Sequence, residues 1–101
     1  MITEKRSVED LRKALREHLP KLHKEYGVGA LWLFGSYVQG AQHKRSDLDV
    51  LVEFSEAPNL PKFVELENCL SHITGLKVDL ISIRSLKGDI GKRILSEKVP
   101  V

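Results

Sequence analysis

Cysteine is nearly missing from this sequence: Cys69 is the single thiol among 101 residues. No internal disulfide can staple the fold, so packing must hold it, as suits a reducing cytoplasm. Long apolar runs are missing too. The longest, Ala30 to Phe34, falls far short of the ~20 residues of a membrane span, and the polar opening MITEKRSVED has no signal-like apolar segment. These absences lead us to expect a cytoplasmic protein with no membrane partner. Charge of one sign is also lacking, since 16 Lys+Arg against 14 Asp+Glu leaves a net +2. A pI near 8.8 admits an anionic ligand. It is far from the charge of a dedicated duplex binder, so direct nucleic-acid binding is disfavoured. Repeats and low-complexity stretches are absent, which removes solenoids and disordered arrays.

What is present suits a small globular unit, with 42% hydrophobic and 30% charged residues. A chain of 11.4 kDa scales to a folded surface of about 5,800 Å² against roughly 16,500 Å² unfolded. Residues 1–101 are therefore expected to form a single domain around one modest core.

Periodicity gives the elements. Val8, Leu11, Leu15, Leu19, Leu22 and Tyr26 recur at helical spacing after a capping Ser7, and Gly27 and Gly29 end the pattern. Pro20 predicts a kink, or two short helices joined near His18 to Pro20. Ala30 to Phe34 reads as a strand, followed by a polar loop from Gly35 to Ser46, and Asp49 to Phe54 reads as a second strand. Asn59 and Pro61 open a helix carrying Phe63, Leu66, Leu70 and Ile73 until Gly75. Val78 to Ile83 is the third strand, and a last helix runs from about Gly88 to Glu97 before the tail Val99-Pro100-Val101. The order α-β-α-β-α implies an α+β (α/β) fold, a small mixed sheet covered by helices.

Chemistry concentrates in one region. Gly35-Ser36 directly follows the first strand, and Asp47-Leu48-Asp49 opens the second after ten intervening residues. Residues i and i+2 of an extended chain share a face, so Asp47 and Asp49 project together while Leu48 turns away. Paired carboxylates suit a hard divalent cation, and Mg²⁺ takes one or two of them alongside substrate phosphates. Asp79 interrupts an otherwise apolar strand and must point out of the core, since an unpaired buried charge is costly. If the third strand lies beside the second, three aspartates converge, as two-metal phosphoryl transfer requires, with Asp79 placed to take a proton from an attacking hydroxyl. Glycine at position 35 would let a phosphate approach the backbone, and the Ser36 hydroxyl could donate to it. Each piece alone reads as a turn, a cap or a solvated edge residue; their joint placement carries the argument.

Other residues weigh less. His43-Lys44-Arg45 is a positive cluster that either attracts a polyanion or is a solvated loop. Trp32 and Phe34 read as core, and Tyr37 either lies near a nucleotide or packs under the loop. His18, His23 and His72 lack metal-ligand spacing, which argues against zinc. Cys69 reads as a buried small hydrophobe. The terminal Ile90, Ile94, Leu95, Val99 and Val101 are apolar enough to meet another chain, so homo- or hetero-oligomers are admissible.

Taken together, LFGSYVQGAQHKRSDLDVLVEF resembles the signature of the DNA polymerase β-like nucleotidyltransferase superfamily. The short length, VDLISI and the closing GKRILSEKVPV are similar to its smallest branch, the minimal nucleotidyltransferase (MNT) domain proteins. The resemblance spans about Leu11 to Val101. It implies that Gly35 and Ser36 hold the triphosphate, that Asp47 and Asp49 bind Mg²⁺, and that Asp79 completes the triad, with two metal ions and ATP as co-substrate. It further implies an antitoxin that transfers AMP to a tyrosine of a HEPN-domain ribonuclease toxin. One departure stands out, since Val38-Gln39-Gly40 occupies the place where many relatives carry Ala-Arg-Gly. The alternatives are an antitoxin that masks its partner without chemistry, and nucleotide transfer to a small molecule.

Overall fold

The first apolar stripe folds into one helix. In the computed structural model, which describes residues 7–41 and 47–101, α1 spans Val8–Tyr26. Ser7 Oγ accepts the Asp10 N–H at 3.1 Å. Gly27 closes the helix at φ 74°, a left-handed turn that carries no Cβ penalty in glycine. Of the two outcomes expected at Pro20, the split into two short helices does not occur, and one helix continues through that position. Pro20 lies on the exposed face, so the carbonyl one turn back that loses its donor sits on the solvated side. On the opposite side Leu11, Leu15 and Leu22 are buried. At about 1.5–3 kcal/mol each, their burial outweighs the ~3 kcal/mol penalty of an interior proline. Pro20→Ala is expected to stabilise the fold by about 1–2 kcal/mol, the helical gain being partly offset by a freer unfolded chain. A urea midpoint that stays put or falls would contradict this.

Four strands form one sheet: β1 (Val28–Phe34), β2 (Leu48–Phe54), β3 (Val78–Ser82) and β4 (Val99–Pro100). Their spatial order is β3-β2-β1-β4. β1 runs antiparallel to β2 and β4, and β2 runs parallel to β3, which is the expected mixed sheet. Several details differ from the sequence reading: β1 starts two residues earlier, at Val28, and β2 one earlier, at Leu48. The loop after β1 contains a four-residue helix, α2 (Ser36–Gln39). β3 stops at Ser82, and Ile83–Ser85 form a turn of 3₁₀ helix. The tail becomes β4, whose carbonyls are held by α1: Arg12 Nε donates to Pro100 O at 2.6 Å and Arg16 Nε to Val101 O at 3.3 Å. Val99 and Val101 thus pack against the chain's own core rather than wait for another chain. Ile90 and Leu95 stay exposed.

α3 (Leu60–Thr74) is capped by Asn59, whose Oδ1 accepts the Lys62 N–H at 2.9 Å, and α4 (Gly88–Glu97) follows the 3₁₀ turn. Strand alternation sends Leu31, Leu33, Leu48, Val50, Val52, Val78 and Leu80 toward α1 and α3. There they share one core with Leu11, Leu15, Leu22, Leu66 and Leu70. The other face receives Asp49, Leu51, Asp79 and Ile81. Among the described residues, no helix is long and apolar enough to cross a membrane.

Candidate functional site

Strand register decides where the aspartates stand. Phe34 lies opposite Asp49 across the antiparallel pair, so Gly35 leaves β1 beside the start of β2. Asp49 in turn lies opposite Asp79 across the parallel pair. Leu48 is fully buried on the core side, so Asp47, one residue before the strand, and Asp49 emerge on the other face. Gly35, Asp47, Asp49 and Asp79 thus meet at one corner of the sheet, with Ser36 next in the chain. Asp47 and Asp49 are half-buried, and Asp79 is exposed.

The electrostatics report the same convergence. Burial, then the charge of Asp79, then that of Asp47 push the Asp49 carboxyl up from 3.8 to about 6. Three like charges gathered this way favour a cation. Among the described residues, none of the three makes an ion pair. Nor do any three His, Cys, Asp or Glu side chains there stand close enough to enclose a metal unaided. An all-oxygen, incomplete donor set of this kind fits a hard divalent ion whose remaining ligands are phosphate oxygens and water.

Gly35 has a demanding conformation, φ 81° and ψ −152°, a region essentially reserved for glycine. A Cβ on it would collide with Asp49 Oδ2. Its carbonyl accepts the Val38 and Gln39 N–H groups, both at 3.1 Å, and so starts α2. Ser36 and Tyr37 open that helix. Periodicity had no means of finding four helical residues, though the glycines bracketing Ser36–Gln39 are a signal for them. Tyr37 is buried in the core, so of its two readings the packing one holds. Phe34 is buried as expected. Trp32 is half-buried, with the Lys98 ammonium 5.2 Å from its ring centroid. Cys69 is half-buried against the core rather than inside it. Gln39 is exposed at the end of α2, and the cluster His43-Lys44-Arg45 lies outside the described residues.

A cavity lies elsewhere. A depression of about 330 Å³, lined by Tyr26, Gly27, Glu56, Asn59 and Lys62, sits where β1 begins and β2 ends, opposite the aspartate corner. The chemistry of the donor set, rather than a cavity, marks the candidate site.

Comparison with known proteins identifies the family. Residues 17–101 match the family model described as polymerase beta, nucleotidyltransferase. Protein adenylyltransferase MntA of Thermococcus cleftensis is 43% identical over 95 residues, covering 94% of this chain and 96% of that protein. Its namesake from Shewanella oneidensis is 33% identical over 86 residues, covering 84% of this chain and 57% of that protein. A solved structure assigned to the minimal nucleotidyltransferases superposes with a TM-score of 0.78 at 31% identity, over 98% of this chain and 100% of that one. A chain of the toxin–antitoxin crystal structure MntA–HpeT gives 0.65 at 27% identity, over 92% of this chain and 69% of that one. With the family model matched from the middle of α1 to the last residue and the sheet shared with solved relatives, the chain belongs to the polymerase beta nucleotidyltransferase family.

Proposed function

We propose that this chain is a Mg²⁺-dependent protein adenylyltransferase. It transfers AMP from ATP to a tyrosine of a HEPN-type ribonuclease toxin and so acts as that toxin's antitoxin, with residues 1–101 working as one domain in the cytoplasm. The observation that carries the reading is the pairing of Asp49 with Asp79 across adjacent parallel strands, with the Gly35 backbone laid against Asp49. A relative 43% identical over nearly its whole length, named a protein adenylyltransferase, supports it.

Asp47 and Asp49 would hold the metal, with Asp79 sharing it where two ions bind. A bound Mg²⁺ supplies Lewis-acid stabilisation of charge on the phosphoryl oxygens. Gly35 admits the triphosphate to the backbone, and the Ser36 hydroxyl donates to it. Asp79, the exposed member, accepts the tyrosine proton as the phenolic oxygen forms its bond to the α-phosphorus and pyrophosphate leaves. Relatives named protein adenylyltransferases favour a protein acceptor, which brings its own surface, over a small molecule.

The exposed Gln39, where many relatives have arginine, favours the second reading, an antitoxin acting by binding alone. Incubation with labelled ATP, Mg²⁺ and the protein encoded beside it separates the two. Adenylylation predicts label on the partner that chelation of the metal removes. An unlabelled partner that is nevertheless neutralised would establish masking instead.

A further inference from the structure

The strand that carries Asp79 is an edge of the sheet, and a helix rather than another strand holds its outer side. Among the described residues β3 pairs with β2 alone. Along such an edge every second amide points away from the sheet and lacks a ladder acceptor. In β3 these are the amides on either side of Asp79, and α3 satisfies both. The Val78 N–H donates to Ser71 Oγ at 3.0 Å, and the Leu80 N–H donates to Glu67 Oε2 at 2.9 Å.

The match is geometric. Glu67 and Ser71 are four residues apart on α3, so they share a helix face and are separated by about 6 Å of rise. Alternate strand residues are separated by roughly 6.6 Å, so the two acceptors fit the two donors. The pairing order is reversed, Glu67 with Leu80 and Ser71 with Val78, as α3 and β3 run in opposite directions through Gly75. Val78 and Leu80 bury their side chains on the helix side. Asp79 is therefore presented on the other face, opposite Asp49.

We propose that Glu67 and Ser71 are positioning residues of the transferase. They pin the backbone before and after Asp79 and so fix its carboxylate relative to Asp49. The inference rests on the reading of Asp47, Asp49 and Asp79 as the reacting site. The charge of Glu67 is not what the clamp needs, because its partner is a backbone amide; an acceptor oxygen of the right reach is enough.

The test compares Glu67→Ala, Glu67→Gln and Ser71→Ala in the full chain. It uses transfer from labelled ATP to the neighbouring-gene protein, together with amide hydrogen exchange at Leu80. Displacement of a reacting group by about 1 Å costs on the order of 10²-fold. Glu67→Ala should thus lower kcat by about 30-fold with KM for ATP within about twofold, and Ser71→Ala should lower it by about threefold. Glu67→Gln, which keeps an acceptor oxygen, should stay within about threefold of the parent. The Leu80 amide should exchange faster in Glu67→Ala and not in Glu67→Gln, while the Val50 and Leu51 amides inside the sheet stay protected in both. Parental kcat in Glu67→Ala, an equal loss in Glu67→Gln, or unchanged Leu80 exchange in Glu67→Ala overturns the proposal. If Glu67→Ala folds poorly, Ser71→Ala and the exchange pattern of Glu67→Gln decide it. A parent chain that labels nothing, with Leu80 still responding as described, sinks the transferase reading and leaves the clamp standing.

Discussion

Asp49→Asn is expected to lower nucleotidyl transfer by about 10³-fold and, at neutral pH, to make the folded chain more stable. Both effects come from one arrangement. Burial and the neighbouring Asp79 and Asp47 raise the Asp49 carboxyl to about 6, so between pH 3.8 and 6 the folded chain binds the proton that the unfolded chain has released. Stability linked to this group is fully present below the unfolded value and is lost as pH rises through the folded one. At pH 7 the ionised carboxylate therefore opposes folding. A carboxyl raised from 3.8 to about 6 corresponds to about 3 kcal/mol; for a half-buried carboxylate, solvent screening reduces this to about 1–2 kcal/mol. Asparagine removes the charge and should return that amount, seen as a higher melting temperature at pH 7 and little difference at pH 4. The same protonation governs activity. In the parent chain kcat/KM should rise with pH through about 6, because the proton must leave Asp49 before a cation can replace it. A variant that is inactive but no more stable would show that the aspartates do not repel one another as described. One that keeps parental transfer would remove Asp49 from the reacting set.

Most of this corner is legible in the sequence because it is written in short-range rules. The i, i+2 alternation puts Asp47 and Asp49 on one face, and the polar Asp79 in VDLIS has one direction in which it can point. The apolar stripe of α1 and the caps Ser7, Gly27, Asn59 and Gly75 come from equally local preferences. What escapes depends on contacts between distant residues. Pro20 is tolerated because the buried leucines of α1 secure the helix on either side of it, which no propensity records. β4 has two residues and exists through pairing with Trp32 and Leu33 and the reach of Arg12 and Arg16. Glu67 reads in the sequence as one more charge on a helix surface, and it becomes informative only when the Leu80 amide is seen to face it.

Gly35→Ala should be the most damaging single-methyl change at the site, costing about 3–4 kcal/mol of stability and about 10²-fold in transfer. Two independent costs meet there. The backbone at φ 81° and ψ −152° is strained for any residue with a Cβ, by about 1–3 kcal/mol. The added carbon would also collide with Asp49 Oδ2, so either the carboxylate or the start of α2 must move. Gly40 provides the control. It has φ 74° with no described atom within 4 Å of where its Cβ would sit, so Gly40→Ala carries the left-handed cost of about 1–2 kcal/mol. Denaturant midpoints should separate the two variants in that order. The collision can be isolated with a second change, because Asp49→Ala shortens the side chain that the new methyl meets. In that background Gly35→Ala should cost only its backbone strain, giving a coupling of at least about 1 kcal/mol between the two positions. Additive costs would mean that the glycine is required by its own dihedral angles alone; coupling would mean that its missing side chain is the space in which the Asp49 carboxylate stands.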